Sequence, residues 1–270
     1  MTAEPWTSHT EARSRSDVDW SHHISTWVPS RYDPDGDDAY PLIVCFDAQW
    51  TYGTVVDTVR ILGLSKELPH AIVVGVGWNT DEPREVVQIR ARDLTVSQAE
   101  APAITGVRVP AAELGGAEAF GQWFLDDLLP DLESRWRISE RVFVGHSFSA
   151  LFGLHLLFTR PGSFHRWLLA SPSVWWDDQV MFDRLAALAV EEPSSPATVF
   201  MSSGELETDD FSPHQEFADA FRARRFPGIE TEFRRFAGET HSSTVPVAIG
   251  QGLRWLFSPD RLIPDSVSAN

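Results

Sequence analysis

Short apolar runs rich in β-branched and aromatic residues recur along the chain and alternate with stretches whose apolar positions return at helical spacing. LIVCF (42–46), AIVVGVG (71–77), RVFVG (141–145), RWLLAS (166–171), ATVFMSS (197–203) and IETEFRRF (229–236) read as strands. Three of the six, LIVCF, AIVVGVG and ATVFMSS, carry no charge, which predicts strands covered on both faces, as in a parallel sheet. SHHISTWVP (21–29) alternates well enough for an opening strand, and the turn-rich RYDPDGDDAYP (31–41) follows it. TVVDTVRIL (54–62), FSALFGLHLLF (148–158) and stretches near 179–190, 214–225 and 244–257 predict helices. So does 117–136, with Pro130 expected to kink or break it. Strands alternating with amphipathic helices predict the α/β class: a mainly parallel central sheet with helices on both faces.

The pattern fails in three places. Residues 1–19 show no apolar period and are expected to form a loose arm, 20–260 a single domain, and 261–270 a tail. The segment 78–115 is too long for an ordinary connection and holds little regular pattern, so it is expected to be a lid-like, irregular insertion that overhangs a site.

Composition narrows the classes of function. A net charge of −17 argues against nucleic acid and anionic membrane surfaces as partners. No stretch approaches the ~18 continuous apolar residues that span a bilayer. The start of the chain lacks a secretory pattern, and a single cysteine, Cys45, permits no internal disulfide; both fit the cytoplasm. No Cys/His cluster at zinc spacing and no calcium-loop pattern is present, so no metal and no cofactor is expected. The partner expected is a small molecule.

Candidate chemistry centres on VFVGHSFSA (142–150), which sets Ser147 between a buried strand and an apolar helix. A nucleophile elbow needs that context, with small residues two before and two after the serine; here they are Gly145 and Ser149. A serine hydroxyl needs a base to take its proton. Of the four later histidines, His155 falls within a helix, His165 comes too early, and His214 opens a helix. His241, between the last strand and the last helix, stands where a base belongs in the order serine, acid, histidine. Glu207 is the preferred acid; Glu205, Asp209 and Asp210 share its loop, and a Ser–His dyad is the remaining option. The backbone amides of Phe148 and Gln49 are the expected oxyanion donors. Trp50, Trp78, Trp175 and Trp176 fall in loops after predicted strands, where ligands bind in open α/β sheets. Arg84 and Arg90 are candidates for an anionic group, with Arg90 alternatively tied to a carboxylate such as Asp93.

Residues 114–178, with IRARDLT (89–95), SPSVWW (171–176), GELE (204–207) and GETHSS (238–243), resemble the bacterial esterase family of α/β-hydrolases that includes esterase D and the siderophore esterases. The resemblance implies the α/β-hydrolase fold and an ester or related acyl hydrolase without a cofactor. It implies Ser147 and His241 as catalytic residues. Two departures stand out: Ala48 where the family carries a glycine after Asp47, and Ser149 with Ala150 in place of a glycine pair. Acyl transfer on the same site and a catalytically silent binding protein are the competing readings.

Overall fold

The computed structural model describes residues 8–100, 106–189, 195–208 and 212–258. One sheet of eight strands runs in the order β1-β2-β4-β3-β5-β6-β7-β8. The strands are β1 (His9–Ser14), β2 (Ser21–Trp27), β3 (Tyr40–Phe46), β4 (Ile72–Trp78), β5 (Ile138–His146), β6 (Arg166–Ala170), β7 (Ala197–Gly204) and β8 (Ile229–Phe236). Pairing is parallel from β4 through β8 and antiparallel at β1–β2 and β2–β4.

Alternate residues of β3 point to opposite faces, as the two-residue period of a strand requires. Leu42, Val44 and Phe46 enter one apolar cluster, and Ile43 and Cys45 enter the other. Helices α1 (Ala48–Leu64) and α8 (Thr244–Phe257) cover the second cluster. The first lies under α2 (Pro83–Leu94), α3 (Ala117–Trp123), α5 (Phe148–Thr159), α6 (Trp176–Ala187) and α7 (His214–Ala223). Helix α4 (Leu129–Glu133), with Pro130 in its first turn, is joined to α3 by a π-helical turn, Phe124–Leu128. The interruption expected at that proline therefore takes the form of a widened turn that relieves the ring's clash with the preceding carbonyls.

Chain order reverses at β3. Its successor β4 lies on one side and β5 on the other, which opens a crevice beyond the carboxyl ends of β3 and β5. Parallel register pairs Cys45 with Val144, so the residues that follow these two strands emerge side by side.

Two sequence expectations are corrected. Within the supposed loose arm, His9–Ser14 is an edge strand on β2. Beyond the backbone ladder to β2, its side-chain ties are ionic: Arg13 pairs with Glu11 and Asp131, and Arg135 reaches Glu11. An edge strand held this way needs no apolar face, and HTEARS shows none. The supposed irregular insertion holds α2, started by Glu82 as cap and Pro83 in its first turn. Its buried face mixes Val86, Ile89 and Leu94 with Arg90 and Asp93, and these two charges break the apolar stripe a sequence reading looks for. After α2, the chain is tied to α6: Trp176 donates to Ser97 and Arg184 to the Val96 carbonyl. The expected tail, 261–270, lies outside the described residues.

Candidate active site

Ser147 stands between β5 and α5 with φ 61° and ψ −118°, a sparsely populated backbone conformation that costs about 1–3 kcal/mol. Close packing maintains it. A Cβ at position 145 would lie 2.6 Å from the Ser149 carbonyl oxygen, so only glycine lets the helix fold back over the strand there. The Ser149 hydroxyl accepts from the His146 amide at 2.8 Å and donates to the His146 carbonyl at 2.9 Å. Neither Ala48 nor Ser149 has positive φ, so the two departures from glycine strain no backbone. The Ser147 amide donates to the Ala170 carbonyl at 3.0 Å, which ties the turn to β6.

The Ser147 side chain is hydrogen-bonded to Ser173, with the two hydroxyl oxygens 3.3 Å apart. Among the described residues it makes no hydrogen bond to His241. The imidazole stands close by. Its ring packs on His146, the neighbour of Ser147, at a centroid distance of 4.4 Å, and the His146 Nε2–H donates to the His241 carbonyl at 2.8 Å. Withdrawal from water, with the charges of His241 and Arg90, pushes the His146 imidazole down to about 3.

The His241 Nδ1 donates to Glu207 Oε2 at 2.7 Å. Glu207 Oε1 accepts from the Ser171 hydroxyl at 2.7 Å and from the Gly204 amide at 2.6 Å. Burial drives this carboxyl upward, but the bonds from His241, Ser171 and Gly204 outweigh it, and the group titrates at about 2. It is therefore ionised at neutral pH. An ionised acceptor on Nδ1 leaves the Nε2 lone pair of a neutral His241 free. Gly204 also lets the β8–α8 loop close on β7, because a Cβ there would meet the Glu239 carbonyl. Glu205 faces elsewhere, accepting from the Gly238 amide at 2.8 Å, while Asp209 and Asp210 lie outside the described residues.

The amides of Phe148 and Gln49 belong to the first turns of α5 and α1. Hydrogen bonding at these helix starts begins later, from Leu151 to the Ser147 carbonyl and from Trp50 to the Asp47 carbonyl. Both amides are spared as donors, and both are at the positive end of a helix.

The candidate binding residues separate by burial. Trp50 is 54% exposed and Trp175 is half-buried, so both can meet a ligand. Trp78 and Trp176 are corrected to structural roles. Trp78 is 3% exposed and donates to Asp93 at 3.2 Å; Trp176 is fully buried and packs edge-on against Phe148. Arg90 is corrected as well. It is buried and forks onto Asp47, not Asp93, through bonds of 2.6 and 2.9 Å. Arg84 is exposed on α2.

Sequence reasoning gave no role to Asp47, His146, Ser171, Ser173 or His214. His214 is buried, with Nε2 at 3.9 Å from Glu207 Oε2. Its neighbourhood depends on a contact between α7 and the β7 loop that no local pattern carries.

The model of a family described as Putative esterase matches residues 16–245. The chain belongs to this esterase family. Over 253 residues the esterase is 31% identical to the ferri-bacillibactin esterase BesA of Bacillus subtilis, covering 89% of this chain and 86% of that protein. It is 24% identical over 247 residues to the siderophore triacetylfusarinine C esterase of Aspergillus fumigatus, covering 80% and 81%. The BES protein from Bacillus cereus superposes with a TM-score of 0.77 at 24% identity, covering 93% of this chain and 96% of that one. The enzyme is thus a carboxylic-ester hydrolase with the α/β-hydrolase fold. No described helix is long and apolar enough to cross a membrane.

Proposed function

We propose that the esterase cleaves its substrate through an acyl-enzyme on Ser147, with His241 as the base, Glu207 as its orienting acid, and the amides of Phe148 and Gln49 as the oxyanion site. The observation that carries this reading is the Glu207–His241 hydrogen bond on an imidazole that packs against His146, the neighbour of Ser147. The Ser147 hydroxyl rotates from Ser173 towards His241 Nε2, gives up its proton there, and attacks the ester carbonyl. The tetrahedral oxyanion accepts from the two amides. Collapse breaks the ester C–O bond, and His241 returns the proton to the leaving alkoxide. Water then attacks the acyl-enzyme by the same route, releasing the acid and restoring Ser147.

The substrate class is a siderophore-type or similarly bulky, aromatic ester. The relatives' activities support it, as do Trp50 and Trp175, which offer flat apolar faces for stacking. A reducing, cytoplasmic setting fits the single buried thiol of Cys45.

Hydrolysis of p-nitrophenyl butyrate and of a ferric siderophore ester tests the proposal, alongside labelling by a fluorophosphonate. Wild type is expected to turn over both esters and to label once per chain. Ser147→Ala is expected to lose labelling and turnover; a Ser147→Ala protein that still hydrolyses either ester sinks the mechanism.

A further inference from the structure

The two halves of the oxyanion site hang from different strands, and the sheet does not by itself fix their separation. The recorded β3–β5 pairing ends at Cys45 and Val144; beyond it one chain turns through Asp47 into α1 and the other through His146 and Ser147 into α5. Asp47 takes a left-handed conformation, φ 59° and ψ 44°, immediately before the turn that presents Gln49. An oxyanion hole works only if both donors lie about 2.7–3.1 Å from one point.

Arg90 spans this gap. Its Nε donates to Asp47 Oδ1 at 2.6 Å, and its NH2 group donates to Asp47 Oδ2 at 2.9 Å and to the His146 carbonyl at 3.3 Å. One guanidinium thus holds the residue that starts the Gln49 turn and the residue that precedes the nucleophile. Its carbon lies 5.1 Å from the ring centroid of Phe148, the other donor residue, and 5.6 Å from that of Trp50. With its fork closed on a buried carboxylate, Arg90 has little left for an anionic substrate. Its own base is anchored one helical turn on. Asp93, on the same helix, is buried and accepts from Arg15 at 2.8 Å and from the indoles of Trp20 and Trp78 at 3.3 and 3.2 Å, with His22 Nε2 at 2.9 Å.

We propose that Arg90 is a positioning residue that sets the oxyanion site, by tying the Asp47 turn to the Ser147 elbow across the crevice. It acts through the backbone of both loops and touches no reacting atom. The inference rests on the Ser147 reading above. A planar fork is required, because an ammonium is a point charge and cannot hold a carboxylate bidentately and a carbonyl together.

The test compares wild type with Arg90→Lys, Arg90→Met, Asp47→Asn and the Arg90→Met/Asp47→Asn double variant. Substrates are neutral p-nitrophenyl butyrate and an anionic ester, with circular dichroism as a check on folding. On the neutral ester kcat is expected to fall about 10-fold for Lys and about 10²–10³-fold for Met, with KM within about threefold. The inhibition constant of a trifluoromethyl ketone, whose adduct places an oxyanion in the site, should rise in proportion to the loss in kcat/KM. The double variant should be no worse than Arg90→Met, since both changes cut one connection. Where Arg90→Met does not fold, Arg90→Lys and Asp47→Asn carry the comparison. Folded variants with kcat within threefold of wild type overturn the inference, as does a defect confined to KM for the anionic ester. If Ser147→Ala stays active, the catalytic reading itself falls, whatever Arg90 does.

Discussion

Glu207 shows how a carboxylate is kept ionised in a half-closed site. Its side chain is 7% exposed, and three donors offset the cost of withdrawing its charge from water. With Glu207 titrating at about 2, the carboxylate stays ionised in mild acid, so loss of activity there does not report its protonation. The carboxylate fixes the imidazole tautomer. Glu207→Gln is expected to lower kcat by about 10³–10⁴, as an amide would favour the wrong tautomer, with KM little changed. Steady-state kinetics on p-nitrophenyl butyrate check this; a loss below tenfold would mean that Glu207 does not orient the base. Ser173 and His146 act differently. One is hydrogen-bonded to the Ser147 hydroxyl, and the other donates from its Nε2–H to the His241 carbonyl.

At the scale of elements, α2 departs furthest from its sequence reading. It is a brace with two charged residues on its buried side, and each closes a network: Arg90 towards the crevice and Asp93 towards the first strands. Arg15 supplies the ion pair to Asp93, with side chains 2% and 3% exposed, and so binds the chain after β1 to α2. Removing one partner of a buried pair leaves the other charge unmatched, at a cost of about 3–5 kcal/mol. Arg15→Ala is therefore expected to lower the melting temperature by several degrees or more in calorimetry. An unchanged melting temperature would show that residues 9–15 contribute little to the domain.

At the scale of the whole molecule, stability should depend on pH through imidazoles withdrawn from water and through Glu207. His146 titrates at about 3 in the folded protein, and withdrawal from water beside Arg184 lowers His155 as well. Unfolded, an imidazole titrates near ~6.5, so below that pH the unfolded chain binds protons that the folded chain refuses. Stability from these groups is present above pH ~6.5 and declines as the pH falls towards about 3 for His146. Glu207 adds a second window: its contribution is present above the unfolded value of ~4.3 and is lost as the pH falls towards about 2. Thermal melting is expected to decline from pH ~6.5 downward, with His146→Gln flattening the upper part of that decline. Identical slopes for the variant and wild type would remove His146 from this account.

The alternation of uncharged strands with amphipathic helices was enough to determine the layered α/β sheet, since each element's period states which faces it buries. VFVGHSFSA was enough to place Ser147 at a strand–helix turn, because small residues must flank such a bend, and chain order pointed to His241 and Glu207. Local patterns could not reveal β1, whose side-chain ties are ionic, or α2, whose buried face carries the charges of Arg90 and Asp93. They could not tell Trp78 and Trp176 from Trp50 and Trp175, since burial depends on what packs above a side chain. Nor could they pair Arg90 with Asp47, 43 residues apart, or set His146 against His241, 95 residues apart. Those contacts exist only once parallel register brings the carboxyl ends of the strands together, and a register is a property of the assembled sheet, not of any one segment.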